Sequence, residues 1–249
     1  MADGVMPDTA GVTVVPELEL FLPARIRSGP VQVRCDGVSS LGHVVESIGV
    51  PLTEVGSMLV NGKPADPGYR PVGGDAVRVL AMARPQRVDC AQFVLDVHLG
   101  TVARWLRLAG VDAAYSRDAV DDALIAQANA ERRVLLTQDR GLLRRRKLWG
   151  GAYVRGAGPP EQFADVLDRF APRLDPWTRC TACNGPLRAV RKADIEPLLQ
   201  PGTRRTYQVF SRCQQCGRVY WRGAHSRQLE AVVAAAARIV NSAGSGRSA

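Results

Sequence analysis

Two Cys-x-x-Cys pairs, Cys180/Cys183 and Cys213/Cys216, constrain this chain more than any other feature. Each pair presents two thiolates from a tight knuckle, and two knuckles complete a tetrahedron around Zn²⁺. Four sulfurs leave no open position for water, so the expected zinc is structural. The 29 residues between the pairs exceed the spacer of compact zinc modules and imply a ribbon with a hairpin inserted, with Pro186, Gly202 and Gly217 at turns. Two matched pairs in one short segment argue against a redox dithiol. The other two cysteines, Cys35 and Cys90, stand alone and are expected as small buried hydrophobes.

Charge singles out the same segment. Residues 1–86 carry 7 basic against 9 acidic side chains, residues 87–175 carry 14 against 12, and residues 176–249 carry 12 against 3. The whole net charge of +9 therefore equals that of the C-terminal part. Localised positive charge attracts a polyanion, and nucleic acid is the commonest in a cytoplasm. Arginine dominates, and its planar fork suits phosphate. Tyr207, Phe210, Tyr220 and Trp221 are interleaved with these arginines. Rings that stack on unpaired bases beside cations that hold phosphates make a single-stranded RNA surface, although some of the rings must fill the ribbon core.

The N-terminus, MADGVMPDTA, has acids where a secretory signal needs a basic region, and no 18-residue apolar run occurs. A cytoplasmic protein without a membrane span is expected.

Patterning divides the chain into 1–86, 88–175 and 176–249. In the first part, 12–20 and 31–35 alternate like half-buried strands. Ser40 caps a helix with apolar residues at 41, 44, 45 and 48. Asn61-Gly62 signals a hairpin turn, and 75–82 closes the sheet. This order suggests a ubiquitin-like β-grasp. ARPQR (83–87) reads as a linker. From residue 92, strands (FVLD, VDAAYS, VLLTQ, GAYVRG) alternate with helices (LGTVARWLRLAG, DDALIAQANAERR, RGLLRRRK, PPEQFADVLDRF), which specifies a mostly parallel sheet with flanking helices. RQLEAVVAAAARIV (227–240) reads as a last helix before a flexible Ser/Gly tail.

Asp96 directly follows one strand of this sheet and Asp139 directly follows another. The carboxyl ends of parallel strands share an edge, where ligands bind. Asp121 and Asp122 open the helix before VLLTQ, so one of them can reach that edge. Grouped carboxylates need a cation, and Mg²⁺ or Mn²⁺ suits oxygen ligands and substrate phosphate. The plainer alternatives are that Asp121, Asp122 and Asp139 cap helices and that Asp96 only ends its strand. His98 is read as a local structural or packing residue rather than a ligand. Neither a Gly-x-x-x-x-Gly-Lys phosphate loop nor a Gly-x-Ser-x-Gly elbow occurs.

With FVLDVHLGTVARWLRLAGVDAAY, DDALIAQANAERRVLLTQDRGLL, RCTACNGPL and CQQCGRVYWRGAH in this order, residues 93–225 resemble the Mut-seven C-terminal RNase family, in the version with an N-terminal ubiquitin-like domain. The resemblance implies a PIN-like RNase fold with a zinc ribbon, and metal-dependent hydrolysis of RNA, including tRNA or other structured RNA. Its acidic pattern falls on Asp96, Asp121 and Asp139, with Asp122 the alternative middle acid. Arg104 and Arg107, together with Arg140, Arg144 and Arg145 in or beside the RRRK stretch at 144–147, are the expected substrate contacts. Thr101 and Gln138 stand where relatives often have Lys and Arg. Gly73-Gly74 precedes the last β-grasp strand, which argues against a conjugation tail and for substrate positioning or protein-partner binding. The competing reading is a noncatalytic RNA-binding or adaptor protein.

Overall fold

The computed structural model describes residues 8–26, 29–88, 91–223 and 226–245. Cys90 lies outside them, as do the last two residues of CQQCGRVYWRGAH. Along the chain come β1 (Thr9–Val14), β2 (Val31–Arg34), α1 (Leu41–Ser47), β3 (Val55–Val60), β4 (Lys63–Ala65) and β5 (Ala76–Ala81). Next are β6 (Gln92–Leu95), α2 (Gly100–Leu108), β7 (Asp112–Tyr115), α3 (Asp121–Glu131), β8 (Val134–Thr137), α4 (Arg140–Leu143), β9 (Gly151–Tyr153) and α5 (Pro159–Phe170). The C-terminal stretch holds β10 (Leu187–Val190), α6 (Lys192–Ile195), α7 (Pro201–Thr206), β11 (Phe210–Cys213), β12 (Val219–Tyr220) and α8 (Ser226–Ser245). By packing, the chain forms two units: residues 1–83 with 139–153, and residues 84–138 with 154–249.

The first unit is built on a mixed sheet of order β2-β1-β5-β3-β4, in which β1 and β5 run parallel. This is β-grasp topology. Its core joins Val12, Leu18, Leu41, Val45, Val77 and Val79, each almost fully buried. At ~1.5–3 kcal/mol per buried aliphatic side chain, such a cluster dominates the unit's stability. The Ser40 side chain accepts the His43 N–H at 3.3 Å and caps α1, as its position in the sequence implies. Asn61 and Gly62 take φ of 50° and 79°, the turn that matches strand twist in a two-residue hairpin. One expectation fails here. The stretch 12–20 does not stay extended: after Val14 the chain turns at Pro16 into a 3-10 helix, Pro16–Phe21, that buries Leu18 and Phe21. Proline fixes φ and lacks the N–H that a continued ladder needs. Cys35 is only half-buried. β9 belongs to this unit, where the Tyr153 N–H donates to Glu54 Oε1 at 2.8 Å and the Tyr153 ring meets Phe21 edge-on at 5.2 Å.

The second unit contains a parallel sheet with β6 between β7 and β8. β8 is buried at all four positions and β6 at its last three, the continuous apolar pattern of strands covered on both faces. α3 packs on β6 and β8, and α2 packs on β7 and α5. α2 ends at Gly110 with φ of 85°, where an added Cβ would lie 1.9 Å from the Asp175 carbonyl oxygen. Only glycine permits that approach. The segment read as a linker is strapped down instead. Arg84 pairs with Asp165 at 2.8 Å and Asp168 at 2.9 Å, and Gln86 Oε1 accepts from Arg169, which is 2% exposed.

The C-terminal ribbon is an antiparallel sheet of order β10-β11-β12. The insertion between β10 and β11 is helical, α6 and α7, rather than the expected hairpin. Ile195, Leu199 and Phe210 bury a small core under it. Pro201 at the first turn of α7 starts that helix and could not pair inside a ladder. α8 continues to Ser245, so the polar NSAGS stretch lengthens the helix rather than beginning a tail. Among the described residues no helix is long and apolar enough to cross a membrane.

Candidate active site and metal centre

The second unit sets Asp96 at the carboxyl end of the central strand. Its backbone N–H continues the ladder to Leu136 at 3.0 Å. The carboxylate is 8% exposed; Oδ1 accepts the Val97 N–H at 2.6 Å and Oδ2 accepts the Thr137 hydroxyl at 2.6 Å. Among the described residues Asp96 has no basic partner. A buried carboxylate held only by neutral donors is costly without a nearby positive charge. Each of its oxygens keeps a free lone pair for a cation.

The surroundings of this acid were only partly visible in the sequence. Thr137, fully buried, ends an otherwise apolar strand, and that lone hydroxyl in VLLT was the available signal. The Tyr115 hydroxyl donates to the Val97 carbonyl at 2.9 Å and lies against Gly100, where a Cβ would sit 2.7 Å away. Gln138 spends its amide on the Val154 and Gly156 carbonyls at 3.0 and 2.9 Å, pinning the turn after β9. His98 is exposed, so it packs in no core.

Asp121 and Asp122 lie exposed in the first turn of α3, which has no side-chain cap. With Asp96 they do not form a set whose ligand atoms lie within 4.8 Å of one another. In the first unit, Asp139 caps α4, its Oδ1 accepting the Gly141 N–H at 2.6 Å and the Leu142 N–H at 3.3 Å. Arg140 lies over the Phe21 ring at 5.5 Å, Arg144 donates to the Glu46 carbonyl at 3.4 Å, and Arg145 is exposed. Arg104 is exposed on α2. Arg107 is 2% exposed, and its guanidinium donates to the carbonyls of Ala113 at 2.7 Å, Thr181 at 3.3 Å and Ala182 at 2.9 Å. This arginine ties α2 and β7 to the first cysteine knuckle.

Cys180, Cys183, Cys213 and Cys216 bring their sulfurs within 4.8 Å of one another. Sγ–Sγ separations are 3.7 Å for Cys180–Cys216 and 3.4 Å for Cys183–Cys213. A Zn–S bond of ~2.3 Å gives a tetrahedral edge of about 3.8 Å, so the quartet fits Zn²⁺. Without positive charge the quartet cannot ionise together. Burial, reinforced by the neighbouring thiols, pushes the Cys183 thiol up to about 12. For Cys180, burial is outweighed by the Tyr220 hydroxyl at 3.0 Å and by backbone N–H groups, bringing it down to about 6. Asn184, with φ of 71°, ends the first knuckle; it donates to Asp112 at 2.7 Å and accepts the Ala113 N–H at 3.2 Å. Asp112 also takes Arg133 and, at 3.0 Å, Arg179. The knuckle is therefore bolted to the start of β7 by an ionic network that sequence reading did not find.

A family model described as the Mut7-C RNAse domain matches residues 91–233, more than half of the chain. The chain belongs to this family. A second model, the Mut7-C ubiquitin, matches residues 8–87, the β-grasp sheet. No curated protein and no solved structure gives a match. The RNAse match contains all four acids and all four cysteines. Membership supports a ribonuclease-type function with RNA as substrate or partner.

Proposed function

We propose that this chain is a metal-dependent ribonuclease that hydrolyses RNA phosphodiester bonds at the carboxyl edge of its parallel sheet. The observation that carries the proposal is the buried Asp96 carboxylate with neutral donors alone. Chain direction supports it. β6 and β8 run parallel, Asp96 is the first residue after one, and Asp139 is the second after the other. Asp96 and Asp139, with Asp121 or Asp122, would hold Mg²⁺ or Mn²⁺. Mg²⁺ usually keeps several waters and takes one or two carboxylates, so a tight acidic triad is not required. When bound, the cation supplies Lewis-acid charge to the phosphate oxygens and lowers the pKa of water.

The chain's own groups do the rest. The Thr137 hydroxyl and the Val97 N–H fix the rotamer of Asp96. Exposed Arg104, Arg140, Arg144 and Arg145 would meet the phosphates that flank the scissile bond. In the reaction a water oxygen forms a bond to phosphorus and one P–O ester bond breaks, leaving a phosphate monoester on one product and a hydroxyl on the other. Residues 88–175 would form the catalytic domain and 176–249 the RNA-holding ribbon, while 1–86 would position substrate or bind a partner.

The test is cleavage mapping on labelled structured and unstructured RNA, with Mn²⁺ or Mg²⁺ added or omitted. Divalent-dependent cutting that Asp96→Asn and Asp139→Asn abolish is expected. No cutting by the wild type, or cutting that survives Asp139→Asn, refutes the proposal and leaves a noncatalytic RNA-binding protein.

A further inference from the structure

The ribbon half of the second unit carries an open cavity of about 570 Å³, within the ~300–1,000 Å³ typical of ligand clefts. Its walls include Trp177, Tyr207, Tyr220 and Trp221, with Arg179 and Arg222 among them. Trp221 is 42% exposed. Its neighbours Tyr207 and Phe210 are tilted against it by 41° and 56°, so neither ring stacks flat on the indole. Trp177 sits at φ of 67° with the Arg222 guanidinium 5.1 Å from its ring centroid. The cavity wall is anchored to the cysteine quartet, because the Tyr220 hydroxyl lies 3.0 Å from Cys180 Sγ.

We propose that this cavity receives an unpaired base of single-stranded RNA, stacked on the Trp221 indole, while Arg222 meets an adjoining phosphate. Charge decides between occupants. An apolar peptide would gain nothing from a segment with 12 basic and 3 acidic side chains. A ligand with a flat apolar face and an anionic backbone matches both the rings and the arginines. An A-form duplex hides its base faces, so the cavity selects single-stranded or looped RNA. The inference rests on the ribonuclease reading only in choosing RNA as the strand.

The experiment measures binding of a fluorescent eight-nucleotide single-stranded RNA to the full zinc-loaded chain by anisotropy. No Mg²⁺ or Mn²⁺ is added, so that binding is read apart from cleavage. Stacking energies predict that Trp221→Ala weakens binding about five- to a hundred-fold and that Trp221→Phe restores most of it. With wild-type protein, an abasic strand of equal length and charge binds more weakly than the intact strand; this comparison needs no variant to fold. Zinc content and circular dichroism check each variant. Equal binding of abasic and intact strands, or undiminished binding by folded Trp221→Ala, overturns the proposal; a cavity reserved for a protein partner would give that result. Base-dependent binding without divalent-dependent cleavage would sink the ribonuclease reading alone. Cleavage without base-dependent binding would sink only the cavity.

Discussion

Replacing Asp112 by alanine should loosen the ribbon from the sheet. The carboxylate accepts from Arg133, from Asn184 at 2.7 Å and from Arg179 at 3.0 Å, and its side chain is 15% exposed. Charge-assisted bonds contribute ~1.5–3 kcal/mol each when one partner is removed. Arg133 retains Glu131 and the Phe93 carbonyl, and Arg179 retains the Asn184 carbonyl, so the low end applies and the losses do not simply add. A net destabilisation of about 3 kcal/mol corresponds to a fall in Tm of about 6–12 °C for a domain of this size. Scanning calorimetry of the zinc-loaded chain at pH 7 measures it, and a chromogenic chelator follows zinc release in parallel. The pH dependence supplies a second readout. Burial raises the Asp112 pKa, but Arg133, Asn184 and Arg179 outweigh it and hold the carboxyl below its ordinary value. A group depressed in the folded state stabilises above its unfolded pKa, about 3.9, and loses that contribution as pH falls through the folded value. The difference between wild type and Asp112→Ala should therefore shrink below pH 4, whereas thiolate protonation weakens zinc binding in both proteins. A fall in Tm under about 2 °C, or a difference that stays constant down to pH 3, would refute the network's role.

Four further outcomes are expected. If Asp96 holds the cation as proposed, Asp96→Asn should lower divalent-dependent RNA cleavage by about 100- to 1,000-fold, the loss of several kcal/mol of transition-state stabilisation; cleavage kinetics under saturating Mn²⁺ check it. Thr137→Val should raise the Mn²⁺ concentration needed for half-maximal activity by roughly 10- to 100-fold, with Thr137→Ser restoring it, because the hydroxyl positions Asp96 at 2.6 Å. Removing zinc with a chelator should unfold the ribbon while leaving the β-grasp sheet protected, as read by hydrogen exchange of Leu187–Val190 against Val12–Val14. Gly110→Ala should cost about 2 kcal/mol or more, because φ of 85° and the Asp175 carbonyl leave no place for a methyl group; chemical denaturation measures it.

Local chemistry made much of the site legible. Cys-x-x-Cys spacing is a property of a knuckle a few residues long, so the four cysteines were identifiable before any fold was known. Asp96 was legible because an acid directly after an apolar run marks a strand end. Thr137 was not singled out, since its role depends on β8 lying beside β6 in register, Leu95 opposite Leu136. Arg107 misled for the same reason. In sequence it is one cation among many on a helix, and only the fold brings the Thr181 and Ala182 carbonyls to its guanidinium.

By itself the sequence determined most of the element order, the β-grasp beginning, the parallel sheet and the paired cysteines, but not the 3-10 turn at Pro16 or the helices α6 and α7. Alternation, capping residues and knuckle spacing act within a few residues of chain. Tertiary structure alone decided which groups meet: Asp112 with Arg133, Arg179 and Asn184, Thr137 with Asp96, and Trp177 and Tyr207 with the Tyr220–Trp221 pair around one cavity. Those meetings join residues far apart along the chain, and they are set by strand register and helix packing, which no local pattern encodes.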